Sequence, residues 1–326
     1  MEGSNSMKKF VAIAAIILFL LSFLGTYYFF KLNAANTRNN YNISSDSNTS
    51  PDTSTINNGS SSNNTTNNTN TASNSSQADT KPSPADKIKV LTILGDSNKL
   101  TKAEKTSMAE WRKSVHDMVE NLPGQLYING PANSKKVSLT FDDGPDEVVT
   151  QKVVDILKQN NVPGTFFFIG ERVRQYPSVV KSAYSNGNLI ASHSYTHPEL
   201  TKVSTIQVNS EISKTEDAIN SIIGERPAII RPPYGDVNNS VLSEIEKNGY
   251  KPVLWSIDTL DWSQMEKDNI IKNVVDNIRS GDIILMHSNE DKTEDLKALP
   301  EIISTLKAQG YTFVTVSELL NIKGYK

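Results

Sequence analysis

Short apolar runs alternate with longer amphipathic stretches from about residue 131 to the end of the chain. The runs predict strands, and the stretches between them repeat apolar residues at the spacing of a helix buried on one face. Near-continuous apolar strands separated by helices are typical of a parallel sheet covered by helices. The predicted strands are 137–141, 165–169, 189–192, 228–230, 252–257, 283–286 and 312–316, and the predicted helices are 147–159, 177–186, 205–223, 239–247, 267–279 and 295–309.

This alternation predicts an α/β fold, a distorted and incomplete (β/α) barrel of about seven parallel strands. An open, doubly wound sheet is the alternative. A small α+β region precedes the barrel, with a predicted strand at 88–94 and an amphipathic helix at 100–121. We therefore expect a small region of unknown role at 87–130 and the main domain at 131–326.

An uncharged apolar stretch near the N-terminus, residues 10–30, predicts a membrane anchor. At about 1.5 Å per residue it is long enough to span a hydrocarbon core about 30 Å thick. Lys8 and Lys9 precede it, which favours an N-terminus left in the cytoplasm. A cleaved signal peptide is the alternative, although its apolar region is normally only about 7–15 residues long. We expect a cytoplasmic tip and a single transmembrane helix within residues 1–32.

Residues 33–86 are dominated by Asn, Ser and Thr and contain almost no large apolar side chains. Such a segment cannot bury enough surface to offset the entropy of ordering it, so we expect a disordered tether. Anchor and tether together predict a domain that works outside the cytoplasm, on the cell-wall side of the membrane. Cleavage after the apolar stretch would give a secreted form instead.

The composition disfavours one class of partner and limits the possible metal ligands. The formal net charge is −3 and there is no long basic run, so a nucleic-acid partner is not expected. The chain has no cysteine, which leaves His, Asp and Glu as its strong metal ligands. The sequence leaves the oligomeric state open.

Polar groups capable of catalysis follow five of the predicted strands. In a (β/α) barrel the catalytic groups lie at the carboxyl ends of several strands, so these groups are expected to converge. Ordinary polar loops would account for one or two such coincidences but not for five. The groups are Asp142 with Asp143, His193, Arg231, Asp258 with Asp261, and His287.

His193 and His197 are four residues apart, a spacing that on a helix would place both on one face. Pro198 disfavours helical geometry at His197, so we expect the pair in a turn after a strand. Adjacent aspartates such as Asp142 and Asp143 are usually an exposed turn. Combined with the histidine pair, however, they predict a mononuclear metal site in which one carboxylate binds the ion and the other takes a proton.

Five segments in this order resemble the motifs of the polysaccharide deacetylases, the carbohydrate esterase family 4 enzymes that share a NodB homology domain. The resemblance extends from about residue 135 to the C-terminus and points towards the peptidoglycan N-acetylglucosamine deacetylases of Gram-positive bacteria. The segments are Thr140-Phe141-Asp142-Asp143-Gly144-Pro145, His193-Ser194-Tyr195-Thr196-His197, Arg231-Pro232-Pro233-Tyr234-Gly235, Asp258-Thr259-Leu260-Asp261-Trp262 and Leu285-Met286-His287.

The resemblance implies a role for each matching residue. Asp143, His193 and His197 would bind one divalent metal ion. Asp142 would be the general base, held by Arg231, and His287 would be the general acid, oriented by Asp261. The backbone N–H of Tyr234 would stabilise the oxyanion, and Trp262 and Leu285 would line the pocket for the acetyl methyl group.

The expected function is metal-dependent hydrolysis of N-acetyl groups on a cell-wall polysaccharide, most simply the N-acetylglucosamine of peptidoglycan. Chitin oligosaccharides, another N-acetylglucosamine polymer and acetylated xylan are alternatives within the same class. A non-catalytic wall-binding module is the alternative from another class. Two imidazoles and one carboxylate suit Zn²⁺ best, although Co²⁺, Ni²⁺ and Mn²⁺ are also admissible.

Overall fold

A computed structural model describes residues 88–326 of the chain. The strands are β1 (Lys136–Asp142), β2 (Thr165–Phe168), β3 (Leu189–Ser192), β4 (Ile229–Ile230), β5 (Lys251–Pro252), β6 (Ile257–Asp258), β7 (Ile283–His287) and β8 (Thr312–Phe313). The α-helices are α1 (Lys102–Asn121), α2 (Val149–Gln159), α3 (Gly170–Gln175), α4 (Pro177–Ser185), α5 (Thr205–Ile223), α6 (Asn239–Lys247), α7 (Asp261–Gln264), α8 (Lys267–Val275), α9 (Thr293–Ala308) and α10 (Val316–Leu320). Short 3₁₀ turns cover Leu200–Lys202 and Pro233–Gly235.

The sheet is a curled, incomplete barrel of seven parallel strands in the order β5-β4-β3-β2-β1-β7-β6. The short strand β8 is not part of this order and pairs with the start of β1. At the end of β1, Asp142 is paired with Phe167 of β2 on one side and with His287 of β7 on the other. The predicted fold class is therefore confirmed, and the carboxyl ends of β1 and β7 lie side by side.

The pleat of β1 explains how a polar site forms inside an apolar sheet. Successive side chains of a strand point to opposite faces. Val137, Leu139 and Phe141 belong to the core formed with the covering helices α2, α4 and α9. The alternate residues are polar, and the last of them, Asp142, ends the strand almost fully buried. One face of β1 thus builds the core while the other supplies the site.

The region before the barrel completes the open side of the sheet. Leu94 forms an isolated parallel bridge with Ile257, and Tyr127 forms another with Val253. The prediction of a strand at 88–94 is wrong. Only Leu94, at the end of this segment, reaches a free strand edge and forms a bridge there. The predicted helix is confirmed as α1, which a capping box at Thr101 begins.

Most predicted elements are confirmed to within a few residues. The predicted strand 252–257 is split into β5 and β6, because the chain between them pairs with the preceding region rather than continuing one ladder. The helices α3, α7 and α10 were not predicted, since each is only 4 to 6 residues long. Such short helices carry little periodic signal.

The predicted anchor and tether lie outside the described residues. Within residues 88–326, no helix combines the length and apolar character needed to cross a membrane.

Candidate active site

Asp142 and Asp143 follow one another at the end of β1, but their side chains have different surroundings. Asp142 is held inside the barrel by Arg231, whose Nη1 donates to Asp142 Oδ1 over 2.7 Å. Asp143 has a φ of +67°, a left-handed conformation that reverses the backbone directly after the strand. Its carboxylate lies against His193 and His197 instead. Two neighbouring carboxylates can therefore perform two different tasks.

Arg231 has no exposed surface, and each nitrogen of its guanidinium donates at least one hydrogen bond. Besides Asp142, it donates to Thr140 Oγ1 and to the carbonyl oxygens of Val253 and Leu254 over 2.9–3.1 Å. The ring of Phe167 lies 4.0 Å from its central carbon. Since five contacts fix this group, the Oδ1 atom of Asp142 is fixed with it and Oδ2 remains free.

The two histidines and Asp143 bring three metal-ligating atoms together. One ligand atom from each lies within 4.8 Å of the others. Asp143 Oδ1 is 3.4 Å from His193 Nε2 and 3.1 Å from His197 Nε2. Tetrahedral ligands about 2.1 Å from a zinc ion are separated by roughly 3.4 Å, so the spacing fits a bound cation.

The hydrogen bonds around this cluster support the same conclusion. His193 Nδ1 lies 2.7 Å from the carbonyl oxygen of Arg231. A carbonyl only accepts, so Nδ1 carries the proton and Nε2 presents a lone pair to the cluster. Asp143 Oδ1 is buried and meets the geometry of a hydrogen bond with no described residue.

His287 stands at the end of β7 on the other side of Asp142. Its Nδ1 bonds to Asp261 Oδ1 over 2.8 Å, and its backbone N–H donates to Asp261 Oδ2 over 2.7 Å. Burial disfavours the charged imidazolium, but the charge and hydrogen bond of Asp261 outweigh it and raise the pKa of His287 to about 9. The ring is therefore protonated at neutral pH, with Nε2–H as its unengaged donor.

One cavity of about 670 Å³ connects these groups. Arg231 and Asp261 lie behind its wall, where they position Asp142 and His287. The predicted site residues that line it are Asp142, Asp143, His193, His197, Tyr234, Trp262, Leu285 and His287. Tyr234 and Trp262 are unusually exposed for aromatic side chains, at 63% and 45%. The structure therefore brings together every residue predicted from the five segments.

Backbone strain concentrates at the same place. Eight non-glycine residues of the described part have a positive φ. Five of them lie in the motif segments: Asp143, Ser194, His197, Tyr234 and Leu260, with φ between 56° and 67°. Such conformations cost free energy and persist where the surrounding structure fixes them, commonly at functional sites.

Comparison with known proteins agrees with this geometry. The sequence model of the polysaccharide deacetylase family matches residues 129–253. A peptidoglycan-N-acetylglucosamine deacetylase of Bacillus cereus is 40% identical over 194 residues, which cover 59% of this chain and 70% of that relative. The chain belongs to the polysaccharide deacetylase family.

Two further relatives extend the comparison. The peptidoglycan-N-acetylmuramic acid deacetylase PdaC of Bacillus subtilis is 35% identical over 224 residues, which cover 69% of this chain and 46% of that protein. A crystal structure of the Bc1960 peptidoglycan N-acetylglucosamine deacetylase has a TM-score of 0.62 at 38% identity and covers 64% of this chain and 98% of that chain. The chain is thus a polysaccharide deacetylase. It spans less than half of the length of PdaC.

The role of Asp258 in this deacetylase is clearer from the structure than from the sequence. Its Oδ1 accepts from the backbone N–H of Leu260 over 2.9 Å and from the indole Nε1 of Trp262 over 3.2 Å. Burial raises the pKa of Asp258. Asp258 therefore positions the loop that carries Trp262 and Asp261.

Asp295, in the first turn of α9, was missed by the sequence analysis. It is 1% exposed, and its buried Oδ1 makes no hydrogen bond with any described residue. Burial and the charge of Asp261 raise the pKa of Asp295 well above its usual value, which favours its neutral, protonated form. No sequence pattern marked it, because an acidic residue in a first helical turn is ordinary.

The wall contributed by α1 was missed as well. Trp111 was expected to pack the small region onto the barrel, and its ring does lie 5.4 Å from that of Trp255. It also lines the active-site cavity of the deacetylase, together with other residues of α1. The spacing of residues in α1 indicated an amphipathic helix, but nothing in the sequence showed which face of that helix lines the cavity. His116, also on α1, does not line this cavity.

Proposed function

We propose that this deacetylase removes the acetyl group from N-acetylglucosamine residues of bacterial peptidoglycan by metal-dependent hydrolysis. One observation carries the chemistry: a free carboxylate oxygen and a protonated imidazole flank a cluster of three metal ligands. Asp142 and His287 occupy the same register on the neighbouring strands β1 and β7.

Asp142 acts as the base through Oδ2. Its Oδ1 is occupied by Arg231, whereas Oδ2 lies 3.7 Å from His193 Nε2, on the side of the metal ligands. A water molecule entering there can give its proton to Oδ2 as its oxygen attacks the acetyl carbon.

His287 acts as the acid through Nε2. Because Nδ1 is bound to Asp261, Nε2–H is the donor left to protonate the nitrogen of the amide. Protonation of that nitrogen allows the carbon–nitrogen bond to break, which yields acetate and a free amine on the sugar. A general acid and a general base each contribute typically about 10²–10⁴-fold to the rate.

Asp143, His193 and His197 would hold a divalent cation, which we propose is Zn²⁺. A bound cation supplies Lewis acidity, which polarises the acetyl carbonyl and acidifies water. Two imidazoles and a carboxylate are a donor set that zinc accepts in catalytic sites with an open coordination position. Co²⁺, Ni²⁺ and Mn²⁺ fit the same donors less specifically.

The substrate is proposed from the relatives and the expected location. Both curated relatives described above are named as deacetylases of peptidoglycan, one of its N-acetylglucosamine and the other of its N-acetylmuramic acid. The first is the more similar over the shared stretch, at 40% against 35% identity. We place the enzyme at the cell membrane, anchored through residues 10–30 with the catalytic domain on the wall side. Protease treatment of intact cells followed by fractionation tests that placement.

Purified full-length protein incubated with peptidoglycan and with N-acetylglucosamine oligomers tests the activity. Released acetate is measured with and without a chelator, and mass spectrometry of the digested glycan locates the free amine on one sugar or the other. We expect acetate release that a chelator abolishes and that Zn²⁺ restores. Activity in a fully metal-free preparation would refute the mechanism, and amines only on N-acetylmuramic acid would refute the substrate.

A further inference from the structure

The active-site cavity extends well beyond the groups that carry out the reaction. Its volume of about 670 Å³ is in the range, roughly 300–1,000 Å³, of pockets that enclose a whole drug-sized ligand. The additional wall comes from outside the stretch matched by the family model, since it is built by residue 100 and the first turns of α1.

One face of α1 meets the cavity. Ala103, Ser107 and Trp111 are spaced by four residues and line it, as does Met108. Residues at this spacing share a side of a helix. Leu100, just before the helix, continues the same wall. Leu100 and Met108 are partly exposed and, among the described residues, belong to none of the three hydrophobic clusters.

The helix is fixed in this position by contacts on its other sides. Val115 and Val119 are buried in a hydrophobic cluster with Phe167 and Leu285 of the sheet. Lys105 Nζ lies 2.7 Å from Asp96 Oδ1, and Arg112 donates to the carbonyl oxygen of Gly95 over 2.9 Å. The wall is therefore preformed, and binding against it requires no ordering of the helix.

The part of the cavity that is lined by α1 favours an uncharged, apolar face of a ligand. This part contributes the acidic residue Glu104 but neither lysine nor arginine, so it offers no partner for an anionic group. The exposed rings of Tyr234 and Trp262 belong to the same cavity as the apolar side chains of α1. Apolar surface left in contact with water and rimmed by polar groups commonly marks a binding site.

We propose that Leu100, Ala103 and Met108 form a subsite for the apolar face of the pyranose ring next to the sugar being deacetylated. This inference rests on the proposed function, because it takes the ligand to be the neighbouring unit of the same glycan. The C–H groups on one face of that ring would pack against the wall, while the acetylated sugar lies over the metal ligands.

The subsite is tested by comparing substrates that can and cannot reach it. The full-length variants Leu100→Ser, Met108→Ser and Ala103→Gln are assayed on a single-unit N-acetylglucosamine glycoside and on the N-acetylglucosamine tetramer. Ile206→Ser is the matched control, because Ile206 is an 81% exposed apolar residue that does not line this cavity. Ala103→Gln keeps a good helix former at an exposed position, so it blocks the wall without threatening the fold.

We expect KM for the tetramer to rise about tenfold in each cavity variant, while kcat stays nearly unchanged. A tenfold change is what one small apolar contact in a pocket typically contributes to discrimination between ligands. The single-unit substrate and the Ile206→Ser control should change by less than about twofold, within the range of a neutral surface substitution. Equal changes on both substrates, or no change on either, would overturn the subsite.

Calorimetric binding of the tetramer separates this inference from the proposed function. If the wild type binds the tetramer and the cavity variants bind it about tenfold more weakly, the subsite stands even where no acetate is released. If the wild type does not bind the tetramer, or if all variants bind it equally, the subsite is refuted whatever the activity.

Discussion

Two buried aspartates of the active site each pair with a cationic side chain, and the two pairs behave differently. Asp142 faces Arg231, which also donates to one hydroxyl and two backbone carbonyls and stays charged at every relevant pH. Asp261 faces His287, whose charge can be lost. The first pair fixes the orientation of a group that must accept a proton. The second pair stabilises a proton that must later be donated.

Removing the fixed charge should have the largest effect. Arg231→Met leaves Asp142 buried without a partner, which typically costs about 3–5 kcal/mol of unfolding free energy. Urea unfolding followed by circular dichroism measures it. The control is Arg226→Met, because Arg226 pairs with Glu216 and Asp217 at the surface, where such pairs are worth about 0–1 kcal/mol. Equal stability of the two variants would contradict this account of Arg231.

Removing the titrating cation should affect catalysis rather than folding. His287→Ala should lower kcat by about 10²–10⁴-fold, because the leaving nitrogen loses its proton donor. Metal content and glycan binding should remain close to wild type. His116→Ala is the control, since His116 lies on α1 and does not line the cavity. An His287→Ala variant as fast as the wild type would exclude this residue as the acid.

Neutralising the aspartate of the second pair should shift the pH dependence. The pKa of His287 is raised from 6.5 to about 9, so activity should fall as the pH rises through about 9. Asp261→Asn should move this alkaline limb to lower pH and reduce kcat less than His287→Ala does. The raised pKa of His287 also stabilises the fold: this contribution is fully present below pH 6.5 and is lost as the pH rises through 9. An unmoved limb would show that another group sets it.

Changing Asp295 should have the smallest effect on the pH dependence. Burial and the charge of Asp261 raise the pKa of Asp295, so Asp295→Ala removes a neutral group, and no charge, from beside Asp261. The alkaline limb should therefore move by less than about one pH unit, which corresponds to about 1.4 kcal/mol. Asp295→Asn keeps a neutral polar side chain and should resemble the wild type. A shift of the limb to lower pH by more than about one unit in Asp295→Ala would show that Asp295 is ionised.

The sequence was sufficient for the parts of the site that local pattern encodes. Asp142, His193 and His287 each follow an apolar strand, and the parallel fold brings such ends together. The different tasks of Asp142 and Asp143 were predicted, but the left-handed conformation of Asp143 that separates their side chains was not. Asp295 was not predicted as part of the site for another reason. Only tertiary packing determines whether a carboxylate in the first turn of a helix is buried.

The elements of the fold that a local pattern encodes were predicted well, and those that depend on distant pairing were not. Strands with continuous apolar runs, such as β2 and β7, and long amphipathic helices, such as α5, were found close to their observed bounds. The segment 252–257 looked like one strand because its residues are apolar. Its division depends on pairing with residues more than 100 positions earlier in the chain, which no local pattern contains.

The bridges at Leu94 and Tyr127 also bear on where this domain can be cut. A fragment beginning at residue 131 would keep every catalytic side chain but leave the facing edges of β5 and β6 open. Exposed strand edges pair readily with other chains. The hydrophobic cluster around Phe167 and Leu285 would also lose Val115, Val119, Leu126 and Ile128. We therefore expect such a fragment to aggregate during refolding, and a fragment that begins near residue 88 to stay soluble.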